Sequence, residues 1–456
     1  MKSICLQQFI FSLLIGLLIS CGHTTNVNDE IDTYDEWELG KNQPYNFKSV
    51  TSLPEGYNLD FVGYLSRHSS RYMTKPKEDV VLYNLFENAK LNNGLKKNGK
   101  HLFEEIKLLL KVQRDNYGTL SSNGEEEHKL LGQRMANLAP EFFNSNPKIK
   151  STSTLISKTQ DSRANFQEGI SSKVNRPKFI NITYDDYNDP ILRAFKISPS
   201  YQSYIDSANW QIYIDEYQNT AQYKELRDQI LDKLFTESYI KLLEDKKKKF
   251  YDMEHNLIIA NKNDIVNNLF KCFKISHNLP EGFGPNLEIF TAEDSKILSH
   301  VDNIKSYYTK GPGFKNSDIS YKHAITFLKY MHSNINSYID GRSDYQGNFN
   351  FAHSTTVVPV LVLLNLDQYK EMEMEQWNES EMSKMATNLT WLVLEKEGEK
   401  FIQIRWNENP VQLPLKEINE HYLYSYEEYD AYISKILSVY GLKDSRSNYN
   451  DILLSL

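Results

Sequence analysis

The sequence predicts an α/β fold: a three-layer core, in which helices cover a mostly parallel sheet, split by an inserted α-helical cap domain. Three observations support this prediction. Strand and helix patterns alternate as far as residue 184, which is the order typical of parallel sheets. Strand patterns then fade between residues 185 and 340, where helical periodicity takes over. Strands return in residues 341–456, so the insertion would divide the core into two parts.

Composition and charge agree with a globular protein of this size. The chain has 456 residues, enough for two or three folding units, and its 40% hydrophobic content argues against global disorder. Lysine and arginine number 52 against 60 acidic residues, so the formal net charge is −8. An acidic protein has no basic field to attract nucleic acid, and we predict no nucleic-acid partner. A phosphate site would have to be a local cationic pocket.

The start of the chain carries an export signal. Lys2 gives a positive first segment, and Phe9–Ile19 is apolar but too short for a stable membrane span. The run ends at Cys21 in a pattern that resembles a bacterial lipobox, where the cysteine becomes the lipidated first residue. We therefore expect a lipoprotein signal peptide over residues 1–20 and a lipid anchor to the bacterial cell envelope, on the periplasmic or surface face of the outer membrane. An ordinary signal peptide with a chance cysteine is the alternative.

Cysteine usage and the next segment fit an exported domain. Cys21 and Cys272 remain after removal of residues 1–20, so no intramolecular disulfide is expected once Cys21 carries lipid. No spacing typical of metal ligands occurs, and we predict no metal site. Residues 21–45 are polar without an apolar period, which predicts a tether between the lipid and the domain.

The first core part, residues 46–184, contains alternating strands and helices. A buried strand over Phe61–Leu65 runs directly into a polar segment, and two helices follow. The second of these helices has an apolar face formed by Leu102, Phe103, Ile106, Leu109 and Leu110. The later elements are a helix over Glu125–Leu138, a strand over Ile149–Thr154, a helix over Lys158–Ile170 and a strand over Lys178–Tyr184.

The predicted cap, residues 185–340, is helical, and the second core part, residues 341–456, returns to strands. Helical periodicity in the cap covers Tyr223–Lys249, Leu257–Phe273 and Ala292–Tyr308. In the second core part we predict strands over Trp391–Leu394 and Phe401–Trp406 and a late helix over Tyr424–Tyr440.

The strongest chemical signal follows the first strand. Arg67, His68 and Arg71 lie at its end, where open α/β sheets place their ligand sites. Two arginines beside a histidine make poor core residues because each guanidinium needs acceptors. Arginine forks can grip the oxygens of a tetrahedral dianion, and an imidazole can attack its phosphorus. The alternative is a solvated loop with a chance histidine.

This segment resembles the RHGxRxP motif of the histidine phosphatase superfamily, in its acid phosphatase branch. Other segments carry the likeness in consistent order from about residue 46 to 440. Phe351–Thr356, with the apolar run after it, is similar to the second-histidine segment, which reads His-Ala-Glu in the multiple inositol polyphosphate phosphatases. The further segments are Leu120–Met135, Ser151–Ile170, Met382–Leu389 and Trp406–Pro414.

The resemblance implies a phosphatase core and roles for particular residues. His68 would be the nucleophile that forms a phosphohistidine, while Arg67, Arg71 and His353 would hold the phosphate. Lys158 falls where the family has a third arginine. The positive charge is kept there, but a bidentate fork becomes a point charge.

Other departures from the family pattern affect the expected chemistry. Thr355 falls on the family's acid, the glutamate of His-Ala-Glu. A hydroxyl cannot protonate a leaving alkoxide as a carboxylic acid can, and such help is typically worth about 10²–10⁴-fold. The family's glycine is Ser69, whose Cβ would restrict the approach of the backbone to phosphate. The family's proline is Met73, a minor change.

Several features allow two interpretations. Asp344 or Glu125–Glu127 could supply the missing proton, although a loop and a helix N-terminus also explain these acids. The run Lys246–Lys249 could meet outer phosphates of a polyanionic substrate or form a solvated helix face. An apolar helix from Thr356 onward, with Pro359 in its first turn, would direct its positive end at the anion.

Two functions remain open at this point. The first is a phosphomonoester hydrolase resembling multiple inositol polyphosphate phosphatase, and thus phytase-like, that acts through His68 without a metal or organic cofactor. Its activity would be weakened by Thr355. The second is a catalytically degenerate surface lipoprotein that binds inositol phosphates or other phosphorylated ligands. Both functions take a phosphorylated small molecule as partner.

Overall fold

The computed structural model describes residues 36–175, 177–184, 186–280, 289–364, 372–418, 421–442 and 448–456. Its strands are β1 (Asn58–Arg67), β2 (Lys148–Ser153), β3 (Lys178–Thr183), β4 (Phe250–Tyr251), β5 (Leu257–Ile259), β6 (Gly347–Ala352), β7 (Asn388–Lys396), β8 (Glu399–Trp406), β9 (Asn409–Pro410) and β10 (Leu423–Ser425). Eight of these described strands form one sheet in the order β10-β8-β7-β1-β6-β2-β3, with β9 on β8. Strands β1, β6, β2 and β3 are parallel, and β7, β8 and β10 extend the sheet in antiparallel pairing.

Helices account for most of the remaining described chain. They are α1 (Glu78–Leu91), α2 (Lys97–Gln113), α3 (Ser122–Leu138), α4 (Pro140–Asn144), α5 (Ser157–Ser171), α6 (Ala194–Ile197), α7 (Pro199–Ser207), α8 (Gln211–Gln218), α9 (Ala221–Leu234), α10 (Glu237–Asp245), α11 (Lys262–Ser276), α12 (Ala292–Lys310), α13 (Ile325–Ile339), α14 (Ser354–Leu363), α15 (Glu379–Met382), α16 (Tyr426–Val439) and α17 (Tyr449–Ser455). None of the helices described here is both long and apolar enough to cross a membrane.

The sheet is buried between two layers of helices. On one face, α13, α14 and α16 pack their apolar residues against β1, β7 and β8. On the other face, α3 and α5 pack against β1 and β6, with Tyr64 and Phe166 stacked at a ring-centroid distance of 4.6 Å. The predicted α/β class, with helices covering a central sheet, is therefore confirmed.

A third apolar cluster lies among helices away from the sheet. It joins α1 and α2 with α9 and α11, through side chains such as Leu82, Ile106, Ile230 and Leu269. These helices, which we call the helical layer, therefore come from both sides of position 185 in the chain. Helix α13 lies within the predicted cap, residues 185–340, but packs on the sheet. The boundaries 46–184, 185–340 and 341–456 stay predictions.

The pairing of β1 with β6 decides where the site forms. The two parallel strands are in register to their ends, with Arg67 opposite Ala352. The residues that follow, His68 and His353, therefore leave the sheet side by side, although 284 positions separate them in the chain. Strand β2 pairs with β6 on its other side and leads into α5, which begins at Ser157. Three chain segments consequently meet at one sheet edge, as in other α/β folds.

Two predicted helices differ from the observed elements. The segment Leu257–Phe273 begins as strand β5, and α11 starts only at Lys262, after a capping box between Asn261 and Asp264. The predicted helix Tyr223–Lys249 is two helices, because Thr236 caps a new one with its side chain. In both cases a side-chain cap interrupts an apolar pattern that periodicity alone would read as continuous.

The prediction that residues 21–45 form a tether is wrong from residue 36 onward, because this part of the chain packs against the domain. Leu39 is fully buried and Tyr45 is 5% exposed. Gly40 donates its N–H to Ser380 Oγ at 2.8 Å, and Gln43 accepts a backbone hydrogen bond from Met385. A few apolar residues in a polar segment dock this part of the chain onto the domain, and such isolated anchors leave no periodic signal. Residues 1–35, with the predicted signal and lipidation at Cys21, lie outside the described residues.

The helix after the second histidine also begins earlier than predicted. Helix α14 starts at Ser354, so Pro359 is its sixth residue and lies inside the helix. The prediction that Pro359 occupies the first turn is wrong. An interior proline lacks the N–H that would bond to the carbonyl four residues earlier, which here belongs to Thr355.

Candidate active site

The two histidines form the centre of the candidate site. The ring centroids of His68 and His353 are 5.8 Å apart, and the ring planes are inclined by 70°. His68 is 5% exposed, and its backbone N–H donates to Ala352 O at 3.1 Å. The loop after β1 is therefore tied directly to the end of β6.

His68 is held in the tautomer that a nucleophile requires. Its Nδ1 lies 3.0 Å from Ser69 O, and because a carbonyl oxygen can only accept, Nδ1 carries the proton. This leaves a lone pair on Nε2. Burial, followed by repulsion from Lys158 and Arg67, keeps the pKa of His68 well below its ordinary value. The imidazole is therefore neutral at neutral pH and can attack an electrophile.

Three basic side chains lie around His68 without an acidic ion-pair partner: Arg67 and Lys158 are buried, and Arg71 is half-buried. No carboxylate of the described residues forms an ion pair with Arg67, Arg71 or Lys158, and the Nε atoms of both arginines have no hydrogen-bond partner. Arg67 Nη1 donates to the carbonyls of Lys41, at 2.7 Å, and Ser383. Burial and mutual repulsion lower the pKa of Lys158 to about 6. The uncompensated charge of the two arginines, and the proton that Lys158 takes up beside an anion, favour anion binding.

Ser69, which the resemblance places at the family's glycine, is fully buried, and its hydroxyl contacts α3. Its Oγ donates to Gly124 O at 2.6 Å. This contact is possible because α3 has Gly124 at the point of closest approach, where a Cβ would lie 1.9 Å from Ser70 O. The serine therefore fits the loop, and its hydroxyl ties the loop to α3.

Glu127 supports the loop from behind. Its carboxylate accepts from Ser70 N at 2.8 Å, from Ser70 Oγ at 2.7 Å and from Tyr45 N at 3.1 Å. Burial raises the pKa of Glu127, and these donors oppose that effect. Sequence reasoning treated this residue as part of a helix N-terminal charge run. The sequence does contain a signal that Glu127 is buried: it lies three residues after Gly124 and four before Leu131, on the same face of α3.

The structure places no carboxylate beside Thr355, the residue that the resemblance assigns to the family's acid. Thr355 is half-buried in the first turn of α14. Asp344 precedes β6 and so lies near the sheet edge opposite His353, where it pairs with Lys148 at 2.6 Å. In the described residues, no acidic side chain is hydrogen bonded to His68, His353 or Thr355. The suggestion that Asp344 supplies the proton is wrong.

A buried ion pair borders the site and carried no sequence signal. Lys310 Nζ lies 2.7 Å from Glu379 Oε1, and both side chains are almost fully buried. The same Nζ donates to Ser383 Oγ at 2.7 Å and to Ser354 Oγ at 3.3 Å. Since Ser383 also accepts from Arg67, this pair fixes the wall beside that arginine.

Arg193 is a further cation that sequence reasoning missed. Its side chain is buried, and Nε and Nη1 have no hydrogen-bond partner. After burial and Lys158, its charge contributes most to lowering the pKa of His353. Thr356 Oγ1 donates to Leu192 O at 2.7 Å, which ties the segment that carries Arg193 to α14.

A cavity of about 680 Å³ opens beside the cation cluster, between the loop after β1 and the helical layer. Arg71 and Lys41 belong to its wall. The other cations that line it are Lys75, Lys77, Lys271, Lys274 and Lys305, against the acids Glu78, Asp215, Asp264 and Asp302. Of the run Lys246–Lys249, the last three lysines line a separate cavity of about 510 Å³, and none of the four lines the cavity beside Arg71.

Comparison with known proteins agrees with the geometry. The profile described as Histidine phosphatase superfamily (branch 2) matches residues 58–407. Two solved structures of the Bifidobacterium longum multiple inositol polyphosphate phosphatase, in complex with inositol hexasulfate and with phosphate, superpose with TM-scores of 0.76 and 0.77. Each is 18% identical in sequence and covers 87% of this chain and 97% of the relative.

A more distant structure shares the fold as well. The phytase from D. castellii has a TM-score of 0.59 at 14% identity, and the match covers 91% of this chain and 86% of the phytase. No curated protein sequence matches the chain. At these identities the structures show a common fold, and the profile match extends over most of the chain. The chain therefore belongs to branch 2 of the histidine phosphatase superfamily.

Proposed function

We propose that this protein is a phosphomonoester hydrolase of the multiple inositol polyphosphate phosphatase type. The observation that carries the proposal is a neutral histidine, His68, with a free Nε2 lone pair beside basic side chains that lack acidic ion-pair partners. Arg67, Arg71, Lys158 and His353 would hold the phosphate. Family membership and the similar folds of two phosphatases support the same reaction class.

The reaction would proceed in two displacements. His68 Nε2 forms a bond to phosphorus while the bond from phosphorus to the leaving oxygen breaks, and that oxygen takes up a proton. Water then attacks the phosphohistidine, which returns the imidazole and releases inorganic phosphate. The cations would act by stabilising the negative charge on the phosphoryl oxygens in both transition states.

The cavity favours a polyanionic substrate such as an inositol polyphosphate. Its volume of about 680 Å³ suits a ligand of that size, and its wall has seven cationic and four acidic side chains. The Bifidobacterium longum relative is known in complex with inositol hexasulfate. A substrate with several phosphates would place one at His68 and the others against the lysines.

A second function is favoured by one specific observation, the absence of a carboxylate beside Thr355 among the described residues. A site that binds phosphate but cannot protonate an alkoxide would act as a binding protein for inositol phosphates or other phosphorylated ligands. The weakened hydrolase and the binding protein share the same anion pocket and differ in turnover.

Phosphate release from phytate and from nitrophenyl phosphate tests the proposal. We expect wild type to hydrolyse the aryl ester readily and phytate slowly, and His68→Ala to hydrolyse neither. Binding of inositol hexasulfate that depends on Arg71, without turnover of either ester, would favour the binding function. A wild-type protein that neither hydrolyses nor binds these ligands would exclude both functions.

We also propose export and lipidation at Cys21, supported by the lipobox pattern. The mature protein would then be held on the periplasmic or surface face of the outer membrane. Intact-mass analysis should find a lipidated N-terminal Cys21 in wild type and an unlipidated precursor in Cys21→Ser. The same lipid-free, processed N-terminus in both proteins would contradict this proposal.

A further inference from the structure

The helix that follows His353 contains a gap in its hydrogen bonds. Pro359 is the sixth residue of α14, and because proline has no N–H, the carbonyl of Thr355 loses its usual donor one turn later. An unpaired buried carbonyl costs free energy comparable to a lost hydrogen bond. The gap lies in the first turn of α14, beside the phosphate site.

A histidine from another part of the chain fills this gap. His323 Nε2 lies 3.1 Å from Thr355 O, and since the carbonyl can only accept, Nε2 carries the proton. His323 is 1% exposed, and its ring packs against Tyr201 at a centroid distance of 4.3 Å. Burial lowers the pKa of His323 to about 4. The ring is therefore neutral at neutral pH, and its one N–H points at Thr355.

The first turn of α14 is the part of the helix next to the proposed phosphate site, since it follows His353, whose ring lies 5.8 Å from that of His68. His353 immediately precedes it, and the backbone N–H groups of Ser354 and Thr355 have no acceptor within the helix because of their position in it. Together with the helix dipole they favour a bound anion. The orientation of this turn therefore determines the position of the His353 imidazole and the direction of two N–H groups that could donate to phosphate.

We propose that His323 is a positioning residue of the phosphate site, which replaces the backbone donor that Pro359 lacks and so fixes the first turn of α14. This inference rests on the proposed function, because it assumes that phosphate binds beside His353. It assigns a role to a residue that does not itself touch the ligand.

Exchange of the donor tests the inference in the full chain. His323→Phe removes the donor, and Pro359→Ala restores a backbone N–H opposite Thr355 O. Calorimetric titration with inorganic phosphate at neutral pH should show about tenfold weaker binding for His323→Phe, little change for Pro359→Ala, and recovery to within about threefold of wild type in the double variant. His332→Phe is the matched control. This residue is also a buried histidine, but its partner is Asp430 of α16, at 3.1 Å, and the variant should bind phosphate like wild type.

The possible outcomes separate this inference from the function on which it rests. Equal phosphate binding by wild type and His323→Phe would overturn the inference alone, as would a double variant that binds as weakly as His323→Phe. If His323→Phe does not fold, the double variant must fold and bind, since its backbone donor is restored. A double variant that also fails would overturn the inference. Absence of phosphate binding by wild type would overturn both the inference and the proposed function.

Discussion

Lys158 differs from an arginine in one property that matters for this site, namely that it can lose its proton near neutral pH. Burial lowers its pKa to about 6, with further repulsion from Arg71 and Arg67. In the free protein at neutral pH this side chain is therefore largely uncharged. A bound dianion favours the charged form, so anion binding and proton uptake at Lys158 are coupled.

We predict that sulfate binding weakens as the pH rises above about 6. Sulfate keeps a constant charge in this range, whereas free Lys158 is protonated only below its pKa of about 6. Above that value each binding event must bring a proton to Lys158. The Kd should therefore rise by up to about tenfold per pH unit, until the pKa of the complex is reached.

Calorimetric titration with sulfate between about pH 5.5 and 8.5 measures this effect. Lys158→Arg is the control, because a guanidinium stays charged throughout and His68 and His353 are present in both proteins. Its Kd should change much less with pH. If the Kd for sulfate changed equally with pH in the two proteins, the proton taken up on binding would belong to a group other than Lys158.

At Thr355, we predict that a carboxylic acid restores what the site lacks. Thr355→Glu should raise kcat/KM for phytate by about 10²-fold and change turnover of nitrophenyl phosphate little. The reason is that an alkoxide needs a proton to leave, whereas nitrophenolate is stable without one. Thr355→Gln has similar size but no acid and should not raise phytate turnover. Wild-type hydrolysis of phytate without preference for the aryl ester would contradict this assignment, because another residue would then be supplying the proton.

At the scale of secondary structure, the packing of helices α3 and α5 determines the positions of two side chains at the site. Helix α5 carries Lys158 and α3 carries Glu127, and the two cross in close contact. A Cβ on Gly132 would lie 2.1 Å from Phe166 O, and one on Gly169 would lie 2.0 Å from Lys129 O. The helix spacing therefore depends on glycine, and so do the positions of Lys158 and Glu127.

We predict that Gly132→Ala destabilises the fold and also weakens phosphate binding. The added methyl must push α3 and α5 apart, at a cost of roughly 1–3 kcal/mol in the free energy of unfolding. Gly99→Ala is a matched control in the helical layer, where the Cβ would lie 2.1 Å from Leu234 O. Chemical denaturation should show a loss of stability in both variants, and phosphate titration should show weaker binding only in Gly132→Ala. Unchanged binding in Gly132→Ala would show that Lys158 tolerates the displacement.

Sequence reasoning found the parts of the site that local order determines. Arg67 ends one strand, His68 and Arg71 follow it in the next loop, and His353 follows a second strand. Because parallel strands end at the same edge of a sheet, these side chains come together. Periodicity misassigned Leu257–Ile259, which is too short an apolar run to separate strand from helix. Side chains that reach the site through tertiary packing alone gave no local signal: Lys41, Arg193, Lys310, His323 and Glu379.

At the scale of the whole molecule, an acidic protein surrounds a cationic cavity. The formal net charge is −8, yet lysines dominate the cavity wall. Some of these lysines are neutralised by neighbouring acids: Lys75 pairs with Glu254 at 2.5 Å, Lys271 with Glu78 at 3.6 Å, and Lys274 with Asp302. Among the described residues, Lys41, Lys77 and Lys305 of this wall form no ion pair. Lys41 adjoins the pocket at Arg67, whose Nη1 donates to the Lys41 carbonyl, so Lys77 and Lys305 are the two lysines left for the outer charges of a polyanion.

We predict that Lys77→Met combined with Lys305→Met weakens binding of inositol hexasulfate by about tenfold and leaves sulfate binding nearly unchanged. A single sulfate would occupy the pocket at His68, whereas the larger ligand must also reach the cavity wall. Lys247→Met combined with Lys248→Met changes the same number of charges in the other cavity and should alter neither affinity. Calorimetric titration with both ligands measures this difference. Equal losses for the two double variants would indicate a general charge effect instead.

If Cys21 carries lipid as proposed, the docked segment from residue 36 to Tyr45 would limit the distance between the site and the membrane. With lipid on Cys21, only residues 22–35 join the anchor to the packed chain, fourteen residues in all. Fully extended, they reach roughly 50 Å. Within the docked segment, the carbonyl of Lys41 accepts a hydrogen bond from Arg67. The segment that follows residues 22–35 would therefore contact the phosphate pocket directly. The protein would then stay within this distance of the bilayer surface, and its ligands would be ions that diffuse to that surface.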